Sequence, residues 1–167
     1  MPYFCQNLKK MNKEHHYNLT VKWTGNTGSG TSNYQNYERS HSIFVNGKAE
    51  LLGSSDPSFR GDKTKHNPED LLLASLSSCH LLWYLHLCSE AGVIVLDYED
   101  NPTGIMVETD NGGGRFTEVT LQPIVTVSDP KMIEKASELH KKANKLCFIA
   151  NSVNFLVAHK SSVKVAN

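Results

Sequence analysis

Between Leu71 and Cys88 the chain runs for eighteen residues without an Asp, Glu, Lys or Arg: LLLASLSSCHLLWYLHLC. No other feature limits the fold as tightly. A bilayer span needs about 17 to 25 predominantly apolar residues, so the run stands near the lower limit. Three serines, two histidines and two cysteines interrupt it, acidic residues press on both ends, and no second such run accompanies it. The expectation is a helix at the centre of a soluble domain, apolar all round because protein surrounds it. Its ends agree. Asn67 suits the N-cap and Pro68 the first helical position, Glu69 and Asp70 favour the positive end of the dipole, and Gly92 closes the helix.

A long buried helix needs a sheet to lie on, and the rest of the chain supplies strand material. YNLTVKW alternates from Tyr17, and YERSHSIFVN follows a glycine-rich turn. After the helix come VIVLDYED, GIMVETD and FTEVTLQPIVTVS, the last two joined by the glycine hairpin DNGGGR. A second helix starts at Asp129-Pro130 and places Ile133, Ala136, His140, Ala143 and Cys147 on one face. NFLVAHKSSVKV ends the chain as a final strand. The plan is α+β: an antiparallel sheet carrying a long buried central helix and a second helix. With 167 residues the chain reads as one domain over 17–167, preceded by an arm over 1–16.

Several chemistries fall away on composition and spacing. Seventeen basic and seventeen acidic residues cancel, which leaves no electrostatic footprint for nucleic acid. The first residues carry charges where a secretory leader needs its apolar core, so the expected compartment is the cytoplasm, with no membrane partner. No Cys-x-x-Cys or His-x-x-x-His spacing offers a zinc site. The glycines at 25, 28 and 30 lack the Lys-Ser/Thr pair of a phosphate loop and read as a hairpin loop.

The cysteines at 5, 79, 88 and 147 remain. Cys79 and Cys88 are nine apart on one helix, which puts them on opposite faces with about 13 Å of rise between them. A disulfide needs Cα atoms within about 7 Å, so these two cannot bridge. His80 points about 100° away from Cys79 and is no base for it within the helix. Cys147 could meet Cys79 if the helices pack. Cys88 and Cys5 read as inert thiols, and these observations leave Cys79 open between a buried hydrophobe and a reagent.

Three motifs decide between those readings. NPEDLLLASLSSCH, with FRGD upstream and CFIANSV downstream, resembles the OsmC/Ohr family of osmotically inducible and organic hydroperoxide resistance proteins. The likeness runs from about His16 to Val165, nearest to the branch with Cys-Phe-Ile-Ala-Asn rather than Cys-Pro at the second cysteine. It implies an intertwined α+β homodimer and a metal-free, haem-free thiol peroxidase with no bound cofactor. An external dithiol, of dihydrolipoyl type, resets such an enzyme. Cys79 matches the peroxidatic cysteine, Cys147 the resolving one, Arg60 the activating arginine and Glu69 the carboxylate that orients it.

Physical chemistry is consistent with each implied role. A guanidinium favours thiolate over thiol, and its fork can hold a carboxylate with one edge while facing sulfur with another. Leu76, Leu82, Trp83 and Phe148 around the cysteines favour organic hydroperoxides over hydrogen peroxide. Glu69 stands ten positions before Cys79, about 15 Å along one helix, so the implied role puts it in the partner chain's site. Two other functions stay in view: acyl transfer with His140 or His86 as base to Cys79, and a non-catalytic protein that holds an apolar ligand.

Overall fold

The computed structural model describes residues 13–166; Cys5 and most of the expected arm lie outside them. The chain divides into two compact units, Met1–Lys65 and His66–Asn167.

The first unit holds β1 (Thr20–Trp23), β2 (His41–Phe44) and β3 (Leu51–Gly53), paired antiparallel in that order. The glycine-rich stretch is the loop between β1 and β2, as its composition predicts. Gly25 is needed there, since a Cβ would stand 2.0 Å from the carbonyl oxygen of Glu38. Arg39 closes the loop by lying over the rings of Tyr34 and Tyr37, 4.1 and 4.3 Å from their centroids. β3 was not foreseen: three residues between turns carry too little alternation to register.

The second unit opens on α1 (Pro68–Glu90), whose start follows the sequence punctuation. Asn67 and Asp70 form a reciprocal capping box, with the Asp70 N–H donating to Asn67 Oδ1 at 2.7 Å. Then come β4 (Val95–Asp100), β5 (Thr103–Glu108), β6 (Gly114–Leu121), β7 (Pro123–Val127), α2 (Ile133–Leu146), β8 (Leu156–His159) and β9 (Ser162–Val165). Two three-stranded sheets result, β4-β7-β9 and β5-β6-β8.

Three features differ from the sequence expectation. FTEVTLQPIVTVS is two strands in different sheets, and NFLVAHKSSVKV likewise divides into β8 and β9. The breaks face each other, since the Lys160 N–H donates to the Leu121 carbonyl at 2.8 Å. The pairs β6–β8 and β7–β9 are parallel, so the sheets are mixed; α2 supplies the crossover that parallel pairing requires. Finally, α1 is only partly covered. Of its eighteen most apolar consecutive residues 28% are buried, on a stripe containing Leu76, His80, Tyr84, Leu87 and Cys88. By length and composition alone it is also the one described helix apolar enough to cross a membrane.

Each end of α1 has its own core. Leu72, Leu73 and Leu76 pack on Val119 and Leu121 of β6, while Tyr84, Leu87 and Cys88 pack with α2 and β7. Between the two cores Asp100 joins three elements. Its carboxylate accepts from Ser77 Oγ on α1 at 2.5 Å and from the Gln122 N–H between β6 and β7 at 2.6 Å. We expect Asp100→Ala to lower stability by about 2 kcal/mol, because both donors lose a charged acceptor. Asp100→Asn should cost less. Urea unfolding would show a lower midpoint at unchanged slope.

Candidate active site

Cys79 stands mid-way along α1 and is half-buried, whereas Cys147, the residue that ends α2, is 1% exposed. Both are free thiols, and they face each other closely enough to interact across the α1–α2 interface. Burial first, and then the neighbouring Cys79, pushes the Cys147 thiol up to about 11; N–H groups of Ala150 and Ile149 oppose this. Cys147 is therefore held as a neutral thiol. The two sulfurs differ as an attacking and a waiting partner would: one reachable, the other sheltered.

An apolar ledge borders the pair. Trp83 lies one turn beyond Cys79, and its ring meets Phe148 edge to face at 5.6 Å. Phe148 is 68% exposed and Leu82 67%. Leu82, Trp83 and His86 line an open depression of about 210 Å³. Leu76, expected beside the cysteines, is instead fully buried in the core under α1.

Glu69 is half-buried in the first turn of the same continuous helix as Cys79, so the structure keeps the two apart. Arg60 belongs to the first unit. It is the one described non-glycine residue with positive φ, at 64°, and ends a short 3-10 helix over Pro57–Phe59. Left-handed backbone at such a residue is a local strain that surrounding structure must hold. Gly61 allows the turn, because a Cβ there would stand 1.6 Å from the Ser55 carbonyl oxygen. Arg60 lines a polar cleft of about 280 Å³ with Glu38, Arg39, Ser40 and Ser54. Asp62, the obvious surface partner for Arg60, pairs with Lys65 at 3.2 Å. Among the described residues Arg60 has no carboxylate within ion-pair distance.

The base that acyl transfer would need is missing from the thiol. His140 Nδ1 lies 3.0 Å from His80 Nε2, fully buried, and His86 pairs with Glu90 at 3.6 Å on the exposed side of α1. Among the described residues no histidine hydrogen-bonds Cys79, and no three His, Cys, Asp or Glu side chains are arranged to hold a metal ion.

The buried histidines are the feature that sequence reasoning missed. Fully buried His80 and His140 come from α1 and α2, half-buried His159 joins them from β8, and Tyr84 stacks on His140 at 3.9 Å. The spacing of His140 and Cys147 showed the face of α2 they share; which residues it meets, sixty positions away, was not visible. Burial is the main cause that pulls His80 down to about 4 and His140 to about 3, with neighbouring imidazoles adding to it. In the unfolded chain such rings take up protons near pH 6.5. Stability from the neutral pair is thus complete above about pH 6.5 and is lost as pH falls toward about 4, since only the unfolded state binds protons in that window. Thermal melts at stepped pH should show this decline, and it should shrink in His140→Phe.

A family model described as OsmC-like protein matches residues 61–161. The chain belongs to the OsmC-like family. Among solved structures, an OsmC-like protein of unknown function from Vibrio cholerae superposes with a TM-score of 0.79 at 28% identity, covering 89% of this chain and 99% of that one. An organic hydroperoxide resistance protein from Elizabethkingia anophelis gives 0.64 at 20%, covering 92% and 100%. One from Legionella pneumophila gives 0.64 at 20%, covering 90% and 99%. At those last identities the likeness establishes a shared fold. No curated protein matches the chain. The OsmC-like match spans α1 and α2, and so both facing cysteines.

Proposed function

We propose that this OsmC-like protein is a thiol-dependent peroxidase for organic hydroperoxides. The observation that carries the reading is the meeting of a half-exposed Cys79 with a buried, neutral Cys147 across the α1–α2 interface. Relatives of the same fold described as organic hydroperoxide resistance proteins support it.

The chemistry balances in three steps. The Cys79 thiolate attacks the peroxide ROOH and takes one oxygen, and with a proton the leaving alkoxide departs as ROH. The Cys79 sulfenic acid then condenses with the Cys147 thiol, forming a disulfide and releasing water. An external dithiol reduces that disulfide by exchange and is itself oxidised. Arg60 supplies the positive charge that favours thiolate, and Glu69 orients that guanidinium from a second chain. The largely uncovered apolar surface of α1 supports a homodimer, since a helix with this composition seeks more cover than its own chain gives it.

Steady-state consumption of cumene hydroperoxide with dihydrolipoamide as reductant tests the proposal. We expect turnover, and a clear preference over hydrogen peroxide because the ledge of Leu82, Trp83 and Phe148 holds an apolar R group. No consumption by fully reduced, folded protein would overturn it. Binding of fatty hydroperoxides or fatty acids without turnover would favour a non-catalytic ligand carrier.

A further inference from the structure

The peroxidase reading makes no use of the buried imidazoles, yet they lie beside its cysteines. His80 follows Cys79 on α1. His140 precedes Cys147 by seven residues on α2, two turns along the same face. The contacts Cys79–Cys147 and His80–His140 are thus neighbouring rungs of one helix–helix interface. We propose that the His80–His140 pair is a positioning device that fixes α2 against α1 so that Cys147 meets Cys79, and that acid releases it.

The geometry of the pair is what makes it a latch. The ring planes lie within 5° of each other, the centroids are 5.4 Å apart and the facing nitrogens 3.0 Å. The rings therefore meet edge to edge, with one proton shared in line between His80 Nε2 and His140 Nδ1. Such a bond is directional, and sliding α2 by one turn, about 5.4 Å, would break it. Asn144, between His140 and Cys147 on α2, ties the same face to β8. Its Nδ2 donates to the Val157 carbonyl at 3.1 Å and to His159 Nδ1 at 3.0 Å. The carbonyl needs a donor, so the amide orientation is fixed and His159 Nδ1 must be unprotonated.

Two of these contacts, His80–His140 and Asn144–His159, need an unprotonated ring nitrogen as acceptor. The outer nitrogens, His80 Nδ1 and His140 Nε2, have no hydrogen-bond partner among the described residues. A first added proton leaves a cation against the Tyr84 ring with no acceptor for its outer N–H. A second puts N–H against N–H at the shared position. A proton on His159 Nδ1 ends its bond from Asn144. The other titratable groups turned toward the cluster give no compensating negative charge: Tyr84 from α1 and Tyr98 from β4 are buried phenols, and Lys141 from α2 adds positive charge at His159. Asp100 acts on Tyr98 and is engaged by Ser77 and Gln122. The chemical consequence rests on the peroxidase reading. In acid the Cys79 sulfenic acid loses its resolving partner, and a second hydroperoxide carries it to sulfinic acid.

The test reads the latch without any peroxide, so its outcome is separate from that of the peroxidase assay. Reduced full-length protein is pulsed with N-ethylmaleimide, whose thioether a neighbouring thiol does not displace, and label at Cys147 is followed by peptide mass, normalised to free cysteine at each pH. Opening that takes up one proton should speed labelling about tenfold per pH unit between about pH 6 and about pH 5, more if two are taken up. His140→Asn keeps a donor and an acceptor near Nδ1 but does not titrate. It should protect Cys147 as the wild type does at pH 7 and lose the acid acceleration. His140→Ala should label fast at both pH values while far-ultraviolet circular dichroism stays folded. A wild type with no acid acceleration, or a His140→Asn chain that keeps it, would overturn the proposal; so would His140→Asn and His140→Ala labelling alike at pH 7.

Discussion

Replacing Cys79 by serine is expected to abolish hydroperoxide turnover, while Cys147→Ser should take one equivalent per chain to the sulfenic acid and then inactivate as further peroxide over-oxidises Cys79. The asymmetry follows from burial. Cys79 is the half-exposed thiol, so its loss removes the only sulfur of the pair that peroxide reaches without an opening of α2. Cys147 is 1% exposed and held neutral, so it neither attacks first nor substitutes for Cys79. Its absence leaves a sulfenic acid beside an apolar ledge, open to a second hydroperoxide. Stopped-flow consumption followed by steady-state turnover separates the two cases. Normal turnover by Cys147→Ser with a small dithiol would mean that the external dithiol resolves Cys79 directly.

The second large effect is a recovery of activity. Chains carrying Cys79→Ser and chains carrying Glu69→Ala should each be inactive as pure dimers. In a mixed dimer one site combines a wild-type thiol with a wild-type Glu69 from the other chain. Equal mixing makes about half of the dimers mixed, each with one working site of two, so about a quarter of wild-type activity should return. The reason lies in α1 itself. It runs unbroken from Pro68 to Glu90, and ten residues of helix hold Glu69 about 15 Å from Cys79. In the proposed mechanism Arg60 acts at the sulfur, and a carboxylate held that far along the same helix does not reach a guanidinium there. The assay needs proof of subunit exchange, for example from native mass spectrometry of chains with different tags. No recovery despite exchange would show that Glu69 acts within its own chain or not at all.

What could be read from the sequence was what is encoded locally. Asn67, Pro68 and Asp70 mark the start of α1 because a cap is a contact over three residues, and Ala136, His140, Ala143 and Cys147 mark the inner face of α2 by spacing alone. Long-range features left no comparable trace. The division between β6 and β7 depends on the Gln122 N–H meeting Asp100, twenty-two residues away. The parallel pairs depend on a crossover through α2, and the clustered imidazoles come together from three elements. Extrapolating from α1's apolar composition overstated its burial, because composition reports a need for cover without saying which chain supplies it. Arg60 and Glu69 gave no signal of their own beyond ordinary surface residues. The resemblance singled them out, and the left-handed backbone at Arg60 is a local feature that the sequence does not display.

In the proposed peroxidase Cys79 and Cys147 form one redox couple. Fully reduced protein mixed with a single equivalent of cumene hydroperoxide, quenched with acid and alkylated, tests it by peptide mapping. The expected product is a chain two hydrogens lighter, with the peptides of Cys79 and Cys147 joined by a disulfide and Cys88 still alkylated. Peroxide consumed with Cys79 and Cys147 both left as free thiols, or with the oxidation placed on Cys88, would contradict it.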